Sequence, residues 1–353
     1  MDKKLLMRGS EAMAEAAIRA GCRFYFGYPI TPQTELAEYL ARELPKRGGV
    51  FLQAESEIAA INMVFGASVT GARAMTSSSS PGISLKQEGI SYMAGCELPG
   101  VIVNVSRGGP GLGNIAPSES DYFQAVKGGG HGDYRNIVLA PYSVQEAADL
   151  CYLAFDLSEK YRNPVMILCS AVVAQMMEPV VFMPQREPVD TEMPWVLTGA
   201  KGREPRVIKS LRLSVEELEQ HNRHLQEKYA TIREKEVRYE TKGLEDAELV
   251  VVAFGTSARI AGSAVDAARE KGYKVGLLRP VTLFPFPTVA LRRLAGRVKK
   301  FLVLELNSGQ MVEDVEIAVA GKAAVHFYGR MGGGVPTPEE DLEEIVRRYK
   351  DKT

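Results

Sequence analysis

The chain has 353 residues, of which 45% are hydrophobic and 25% are charged, a composition typical of globular proteins with sizeable buried cores. Its 43 basic and 44 acidic residues leave a formal net charge of −1, which argues against electrostatic binding to nucleic acid. No apolar run is long enough to span a membrane, and acidic residues interrupt the N-terminal sequence before a signal-like segment develops. We therefore expect a cytoplasmic protein that binds neither nucleic acid nor membranes.

Short apolar strands alternate with helices in the first half of the chain. Strands are predicted at "CRFYFGYPI", "VFLQA", "ARAMTS", "GVIVNVS", "NIVLAP" and "PVMILCS". Helices are predicted from Pro32, at "SEIAAINMVFGASVTG", and over residues 83–95 and 143–161. The strand "GVIVNVS" is apolar and β-branched almost throughout, as is typical of a central parallel strand. This alternation predicts an α/β fold with a doubly wound parallel sheet.

Two further regions follow the first α/β pattern. A proline-rich stretch without periodicity leads into an amphipathic helix over residues 213–240, which packs either on its own chain or on a partner. From residue 246, "AELVVVAFGTS" and later apolar runs repeat the strand-and-helix pattern. We divide the chain into a first domain over residues 1–180, a connector with the amphipathic helix over 181–243, and a smaller α/β domain over 244–353.

The stretch "GYPITP" predicts a stiff corner between a strand and a helix. Pro29 fixes its own φ and favours extended geometry at Tyr28, while Pro32 is suited to the first position of a helix. Thr31 then stands at the N-cap, where its hydroxyl can serve the helix alone. Because ligands bind at the carboxyl ends of parallel strands, the same hydroxyl can instead face a ligand.

Two more segments follow predicted strands. Glu57 lies in the first turn of its helix, where a carboxylate either interacts with the helix dipole or reaches a ligand, and the sequence does not distinguish it from Glu55. The hydroxyl-rich turn "TSSSSPG", residues 76–82, either caps the next helix or contacts a ligand.

The segment over residues 107–133 is rich in glycine and directly follows the most apolar strand. Such a loop is more typical of binding than of linking, although it contains no nucleotide-binding fingerprint. Arg107 lies at the strand end, where a guanidinium group suits a carboxylate or a phosphate. His131 could act as an acid or a base near neutral pH, or simply hydrogen-bond within the loop. The residues alone therefore predict a ligand site formed by Thr31, Glu57, residues 77–80 and Arg107.

Several motifs together resemble the α subunit of the 2-oxoacid:ferredoxin oxidoreductases. They are "GYPITP", "ESEIAAINMVFGAS", "NVSRGGPGLG", "KGGGHGDY", "LLRPVTLFPFP", "LELNSGQM" and "GGGVPTPEE". Within that family, residues 107–135 are most similar to the branched-chain 2-oxoacid (2-oxoisovalerate) type. The resemblance implies that the first domain binds the pyrimidine half of thiamine diphosphate and that the second resembles the transketolase C-terminal domain.

The resemblance also implies roles for individual residues. Glu57 matches the catalytic glutamate that hydrogen-bonds the aminopyrimidine of the cofactor, while Thr31 and Arg107 match residues that hold the substrate. The remaining cofactor-binding residues are expected to be Tyr28, Pro29, Ser78 and Ser79.

Partner subunits are implied as well. The four cysteines include no Cys-x-x-Cys pair, and no Gly-Asp-Gly…Asn pattern is present to hold Mg²⁺ and a diphosphate. The resemblance therefore places Mg²⁺ on a β subunit and the iron–sulfur clusters on partner subunits that include smaller, ferredoxin-like γ and δ chains, with a dimer of heteromers as the assembly. The implied reaction converts a 2-oxoacid and coenzyme A to acyl-CoA and CO₂, with electrons passing to ferredoxin. The alternatives are the same chemistry on 2-oxoglutarate or pyruvate, or a non-catalytic assembly subunit.

Overall fold

The computed structural model describes residues 4–186 and 193–351. The strands are β1 (Leu5–Arg8), β2 (Phe24–Gly27), β3 (Val50–Gln53), β4 (Ala74–Ser78), β5 (Gly100–Ser106), β6 (Ile137–Leu139), β7 (Pro164–Ser170), β8 (Met177–Val180), β9 (Tyr239–Lys242), β10 (Leu249–Val252), β11 (Val275–Pro280), β12 (Thr282–Phe284), β13 (Lys300–Glu305) and β14 (Ala324–Gly329). The helices are α1 (Gly9–Arg19), α2 (Thr34–Glu43), α3 (Glu57–Ser68), α4 (Ser80–Gly95), α5 (Tyr122–Val126), α6 (Val144–Tyr161), α7 (Ala171–Gln175), α8 (Val215–Lys235), α9 (Gly255–Glu270), α10 (Thr288–Leu294), α11 (Met311–Val319) and α12 (Pro338–Lys350).

The larger sheet has the strand order β12-β6-β7-β5-β4-β2-β3. All its neighbouring pairs are parallel except β12 with β6. Every residue of β5 and β7 is buried, as expected of central strands covered on both faces. The strands β5, β4, β2 and β3 lie side by side, so the segments that follow them meet at one edge of the sheet. This edge is where the sequence predicted a ligand site.

The smaller sheet has the order β14-β13-β10-β11-β9, with β9 antiparallel at its edge. Helices α9 and α12 pack together over this sheet around a second hydrophobic core. Two strands do not follow the predicted division of the chain into domains. Strand β9 lies in the predicted connector but joins the smaller sheet, and β12 lies in the predicted second domain but joins the larger sheet. The boundaries at residues 180 and 243 stay a prediction.

A buried carboxylate joins the loop before α5 to helix α9. Glu119, in the loop before α5, accepts hydrogen bonds from the Thr256 backbone N–H and the Ser257 hydroxyl, both at 2.6 Å, in the first turn of α9. Burial raises the pKa of the Glu119 carboxyl to about 7.

Helix α8 is the amphipathic helix expected over residues 213–240. Its buried side chains, Leu225, Tyr229 and Ile232, belong to the main core, so this part of the helix packs on its own chain. At its N-terminal end, Val215 is 75% exposed and Leu218 is 41% exposed.

Membrane-spanning helices and cysteine pairing can both be examined in the described residues. No helix among them is long and apolar enough to cross a membrane. All four cysteines are buried and free.

Candidate functional site

The corner after β2 differs in detail from its prediction. Helix α2 begins at Thr34 and its N-cap is Gln33, so Thr31 is not the helix cap and Pro32 is not the first helical residue. The Thr31–Pro32 peptide bond is cis, and a turn closed by the Gln33 N–H and the Ile30 carbonyl precedes the helix. The Thr31 hydroxyl therefore has no capping duty, which leaves the ligand-facing role open.

The buried side chain of Gln33 holds this corner in place. It is fully buried, its side-chain amide donates to the Tyr28 carbonyl at 3.3 Å, and its amide oxygen accepts from the Ser77 hydroxyl at 2.5 Å. Because Ser77 lies on β4 and Tyr28 follows β2, the contact ties the ends of two neighbouring strands together. Tyr28, Pro29 and Thr31 are exposed above this support.

Arg107 reaches the same corner from the end of β5. Its side chain is 7% exposed and donates to the Thr31 carbonyl at 2.8 Å and to the Leu112 carbonyl at 3.1 Å. The Arg107 Nε is buried and has no hydrogen-bond partner within the described residues. The arginine thus keeps hydrogen-bonding capacity while its position is fixed by two carbonyl groups.

The backbone of Arg107 is held by a polar cluster that the sequence did not reveal. The Arg107 N–H donates to the Ser80 hydroxyl at 2.9 Å, and Ser80 donates to the Asp121 carboxylate at 2.6 Å. Asn104, on β5, also donates to Asp121 at 2.9 Å. Burial raises the pKa of Asp121, and these hydrogen bonds oppose that shift. The contact between Ser80 and Asp121 joins positions 41 residues apart, so local sequence gave no signal for it.

Glu57 is the first residue of α3, and it is only 6% exposed, whereas Glu55 is exposed. Burial therefore distinguishes Glu57 from its neighbour Glu55, which the sequence did not. Ser56 caps the helix by accepting the Ala59 N–H, so Glu57 is not needed as the cap. A Cβ placed on Gly82 would lie 2.6 Å from the Glu57 carboxylate and would overlap the Ser78 hydroxyl. Glycine at position 82 lets both groups approach the first turn of α4.

Ser78 and Ser79 have buried hydroxyl groups without hydrogen-bond partners in the described part of the chain. Buried polar atoms are usually paired, so these two hydroxyls call for a partner that the chain does not supply. A nitrogen-rich ring such as an aminopyrimidine, placed beside Glu57, offers both donors and acceptors. The residues present therefore fit the pyrimidine of thiamine diphosphate.

Lys86 lies one helical turn beyond Gly82 on α4 and was not singled out from the sequence. Its side chain is fully buried, and its ammonium group donates to the Thr76 hydroxyl at 3.1 Å and to the Glu57 carbonyl at 3.4 Å. Burial lowers the pKa of Lys86 to about 8, and the Glu57 carboxylate opposes that shift. The i to i+4 spacing from Gly82 places Lys86 on the same face of α4 as Gly82. This spacing could have pointed to Lys86 only if the contact between Gly82 and Glu57 had been known.

A cavity of about 460 Å³ opens beside Arg107. It is lined by Ser80, Asp121, Met331, Leu306, the glycine-rich residues 108–111 and neighbouring polar side chains. Arg107 is the one cationic residue that lines it within the described residues. Glu57, Ser78 and Ser79 lie outside this lining, and Thr31 lines a separate cavity of about 450 Å³.

His131 is not brought together with the other predicted residues. It is exposed and lines a different cavity, of about 550 Å³, with Tyr92 and His221. Its neighbour Gly130 packs against Ser91, near the far end of α4 from Ser80. The remaining predicted residues follow β2, β3, β4 and β5 and meet at one edge of the larger sheet.

Comparisons with known proteins agree with this arrangement. A family described as pyruvate flavodoxin/ferredoxin oxidoreductase, thiamine diphosphate-binding, matches residues 15–243, and the pyruvate:ferredoxin oxidoreductase core domain II matches residues 247–341. The ketoisovalerate oxidoreductase subunit VorB of Methanothermobacter marburgensis is 52% identical over 346 residues, which cover 98% of this chain and 97% of that protein. The 2-oxoglutarate synthase subunit KorA of Methanothermobacter thermautotrophicus is 39% identical over 382 residues, covering 98% of this chain and 99% of that protein.

One solved structure is similar over nearly the whole chain. The 2-oxoglutarate:ferredoxin oxidoreductase from Magnetococcus marinus, with 2-oxoglutarate, coenzyme A and succinyl-CoA bound, matches with a TM-score of 0.87 and 27% identity. The match covers 99% of this chain and 66% of that chain.

The fold and the site define a thiamine diphosphate-binding α/β protein with a second α/β domain. The fold class predicted from the sequence, including its likeness to transketolases, is confirmed. The chain belongs to the 2-oxoacid:ferredoxin oxidoreductase family, as one subunit of a multi-subunit enzyme. The predicted family, enzyme class and thiamine diphosphate cofactor are thereby confirmed.

Proposed function

We propose that this chain forms the pyrimidine-binding half of the active site in an enzyme that oxidatively decarboxylates a branched-chain 2-oxoacid, 3-methyl-2-oxobutanoate. Coenzyme A takes the acyl group, CO₂ leaves, and electrons pass to ferredoxin. The observation that carries the proposal is the convergence of buried Glu57, the unpaired Ser78 and Ser79 hydroxyls and Arg107 at neighbouring strand ends.

Glu57, Ser78 and Ser79 would hold the aminopyrimidine of thiamine diphosphate, with Tyr28 and Pro29 at the adjoining corner. The bound cofactor supplies a nucleophilic carbon and an electron sink for loss of CO₂. Glu57 would contribute a carboxylate that can hold or release a proton beside the pyrimidine ring, in a site shielded from water by its burial. The fixed first turn of α3 holds that carboxylate in place.

Arg107 and Thr31 would hold the substrate. The two carbonyl groups that fix the arginine also orient it, and its charge suits the carboxylate common to all 2-oxoacids. The Thr31 hydroxyl, which has no duty as a helix cap, would donate to the oxo group. The stiffness of the corner then serves to keep this donor in position.

The lining of the cavity beside Arg107 supports a substrate with a single carboxylate. A 2-oxoglutarate substrate carries a second carboxylate, which is best bound by a second cation. The described lining offers Arg107 alone as a cation and includes the carboxyl group of Asp121, which would repel such a group. The 52% identity to a ketoisovalerate oxidoreductase subunit supports the same choice over the 39% identity to a 2-oxoglutarate synthase subunit.

The partners that we propose are a β subunit, which supplies Mg²⁺ and the diphosphate site, and γ and δ subunits. Among these partners are the ferredoxin-like chains that carry the iron–sulfur clusters. Apolar side chains are exposed near Glu57, with Ile58 at 48% and Leu85 at 51%, which supports a partner that covers this edge. A cytoplasmic dimer of heteromers is the proposed assembly. The proposal assigns no step to His131.

The test is co-purification of the complex from its native host, followed by a panel of 2-oxoacids with coenzyme A and a viologen acceptor. We expect acceptor reduction to be fastest with 3-methyl-2-oxobutanoate, in a complex that contains cluster-bearing partners. Fastest reduction with 2-oxoglutarate or pyruvate would contradict the substrate but keep the chemistry. A complex without thiamine diphosphate and without 2-oxoacid activity would make the chain an assembly subunit.

A further inference from the structure

Lys86 is a buried cation that the proposed chemistry does not use. It lies on α4 with a fully buried side chain, whereas lysine is rarely buried unless its charge is compensated. Its two hydrogen-bond acceptors, the Thr76 hydroxyl and the Glu57 carbonyl, are both neutral. No ion pair forms with Lys86 among residues 4–186 and 193–351. A lysine in this setting calls for an explanation beyond packing.

The position of Lys86 relative to Glu57 offers that explanation. The ammonium group reaches the backbone of Glu57 at 3.4 Å, while Gly82, one turn earlier on α4, admits the Glu57 carboxylate. Helix α4 therefore contacts Glu57 at two positions: Gly82 leaves room for the carboxylate, and Lys86 donates to the backbone carbonyl. The charge that acts on Lys86 is the carboxylate of Glu57, across the contact between α3 and α4.

We propose that Lys86 is a positioning residue for Glu57, because its ammonium group holds the carbonyl of this first residue of α3 and so fixes where the Glu57 carboxylate lies against Gly82. The ammonium group contacts the backbone of Glu57 and forms no ion pair with its carboxylate within the described residues, so its charge acts on the carboxylate across the contact between α3 and α4. The proposal rests on the proposed function of Glu57 and deepens it.

The first experiment measures kcat and KM for the 2-oxoacid in the assembled complex, with co-elution of the subunits as the check on assembly. Lys86→Met removes the charge and keeps the length of the side chain, while Thr76→Val removes only the hydroxyl that Lys86 contacts. We expect Lys86→Met to lower kcat by roughly tenfold or more with little change in KM, because a displaced catalytic group costs rate rather than substrate binding, and Thr76→Val to stay near the wild-type values. An unchanged kcat in an assembled Lys86→Met complex would overturn the proposal.

A second measurement, on the complex after removal of thiamine diphosphate, avoids the risk that Lys86→Met does not assemble. Two coupled charges shift each other equally, so removing the carboxylate with Glu57→Gln should lower the pKa of Lys86. Lysine labelled with ¹³C at Cε lets the ammonium group be titrated by NMR in the wild-type and Glu57→Gln complexes. A lysine signal that titrates near pH 8 in the wild type and moves to lower pH in the variant supports the proposal, and an unmoved signal contradicts it.

The two proposals can fail separately. The catalytic role of Glu57 is tested by the activity of the Glu57→Gln complex with bound cofactor. The role of Lys86 is tested independently by its own pKa in the cofactor-free complex, which does not depend on turnover. If the Glu57→Gln complex is inactive but the pKa of Lys86 is unchanged in it, only the proposed role of Lys86 is contradicted.

Discussion

The guanidinium group of Arg107 donates a hydrogen bond to the carbonyl oxygen of Thr31 over 2.8 Å, although the two residues are 76 positions apart. The same side chain donates to Leu112 in the glycine-rich loop. Arg107 therefore joins the corner after β2 to the loop after β5 and brings its own charge to that junction. Both substrate binding and the position of the glycine-rich loop should therefore depend on the side chain of Arg107.

Replacing Arg107 with lysine should weaken substrate binding even though the charge is kept. Lysine offers a point charge and lacks the planar fork that reaches both carbonyl groups. We expect kcat/KM for the 2-oxoacid to fall roughly 10- to 100-fold, the range for loss of a charged hydrogen bond. Steady-state kinetics of the complex measures this, with Arg135→Lys as the control, because Arg135 also bonds backbone carbonyls but lies away from this corner. Equal losses in both variants would contradict the assigned role.

The two neighbouring glutamates should differ sharply in their importance. Glu57 is buried beside the serine hydroxyls, whereas Glu55 is exposed and contacts the Ser56 hydroxyl. Glu57→Gln should lower kcat by about 100-fold or more, since removing a general acid–base group typically costs that much. Glu55→Gln should stay near wild type. Subunit co-elution checks assembly, and near-normal activity of an assembled Glu57→Gln complex would favour a purely structural subunit.

Gly82→Ala should impair cofactor binding more than folding. The added Cβ would overlap the Ser78 hydroxyl and crowd the Glu57 carboxylate, so both groups would have to shift from their present positions. Gly66→Ala on α3 is the matched control, because its Cβ would meet no atom within 4 Å and alanine favours a helix by roughly 0.5–1 kcal/mol. Calorimetric titration with thiamine diphosphate should show weaker binding for Gly82→Ala alone. Equal affinity in both variants would show that Gly82 is not part of the cofactor site.

The neighbourhood of the site could be predicted from the sequence because it depends on strand order more than on side-chain detail. The strands are apolar runs, and the segments that follow parallel strands meet at one edge, so residues 77–80 and Arg107 were expected near Thr31. The contacts inside the site depend on helix register and burial. Neither the exposure of Glu55 nor the approach of Lys86 to Glu57 can be read from local spacing.

The parts of the fold that escaped prediction are pairings between distant segments. Strand β1 pairs with β8, and β12 with β6, in short antiparallel contacts at sheet edges. Such strands have three or four residues and carry little periodic signal of their own. The sequence predicts the corner at Thr31, but the helix begins later because a turn closed by the Gln33 N–H and the Ile30 carbonyl comes first.

The buried Glu119 should make the stability of the complex depend on pH. Burial raises the pKa of this carboxyl from near 4.5 to about 7, so the folded chain retains a proton that the unfolded chain releases. The contribution of Glu119 to stability therefore falls as the pH rises from about 4.5 to 7. Glu119→Gln keeps an oxygen to accept the Thr256 N–H and removes the titration. The difference between the Tm of Glu119→Gln and the Tm of the wild type should grow in favour of the variant by about a few °C between pH 5 and pH 8. A difference that does not change with pH would contradict this prediction. Glu245→Gln is the control, because Glu245 is exposed and the Tm difference of this variant should not change with pH.

A second cation placed in the cavity beside Arg107 should shift the substrate preference. Met331 lines this cavity and is 65% exposed, so an arginine there can extend into the space without displacing the core. Met331→Arg should raise the ratio of kcat/KM for 2-oxoglutarate over 3-methyl-2-oxobutanoate by roughly tenfold, the effect of one charged hydrogen bond. Met331→Gln removes the same apolar surface without adding charge and should leave 2-oxoglutarate a poor substrate. If both variants changed the ratio equally, the loss of apolar contact would explain the preference and the argument from a single cation would fail.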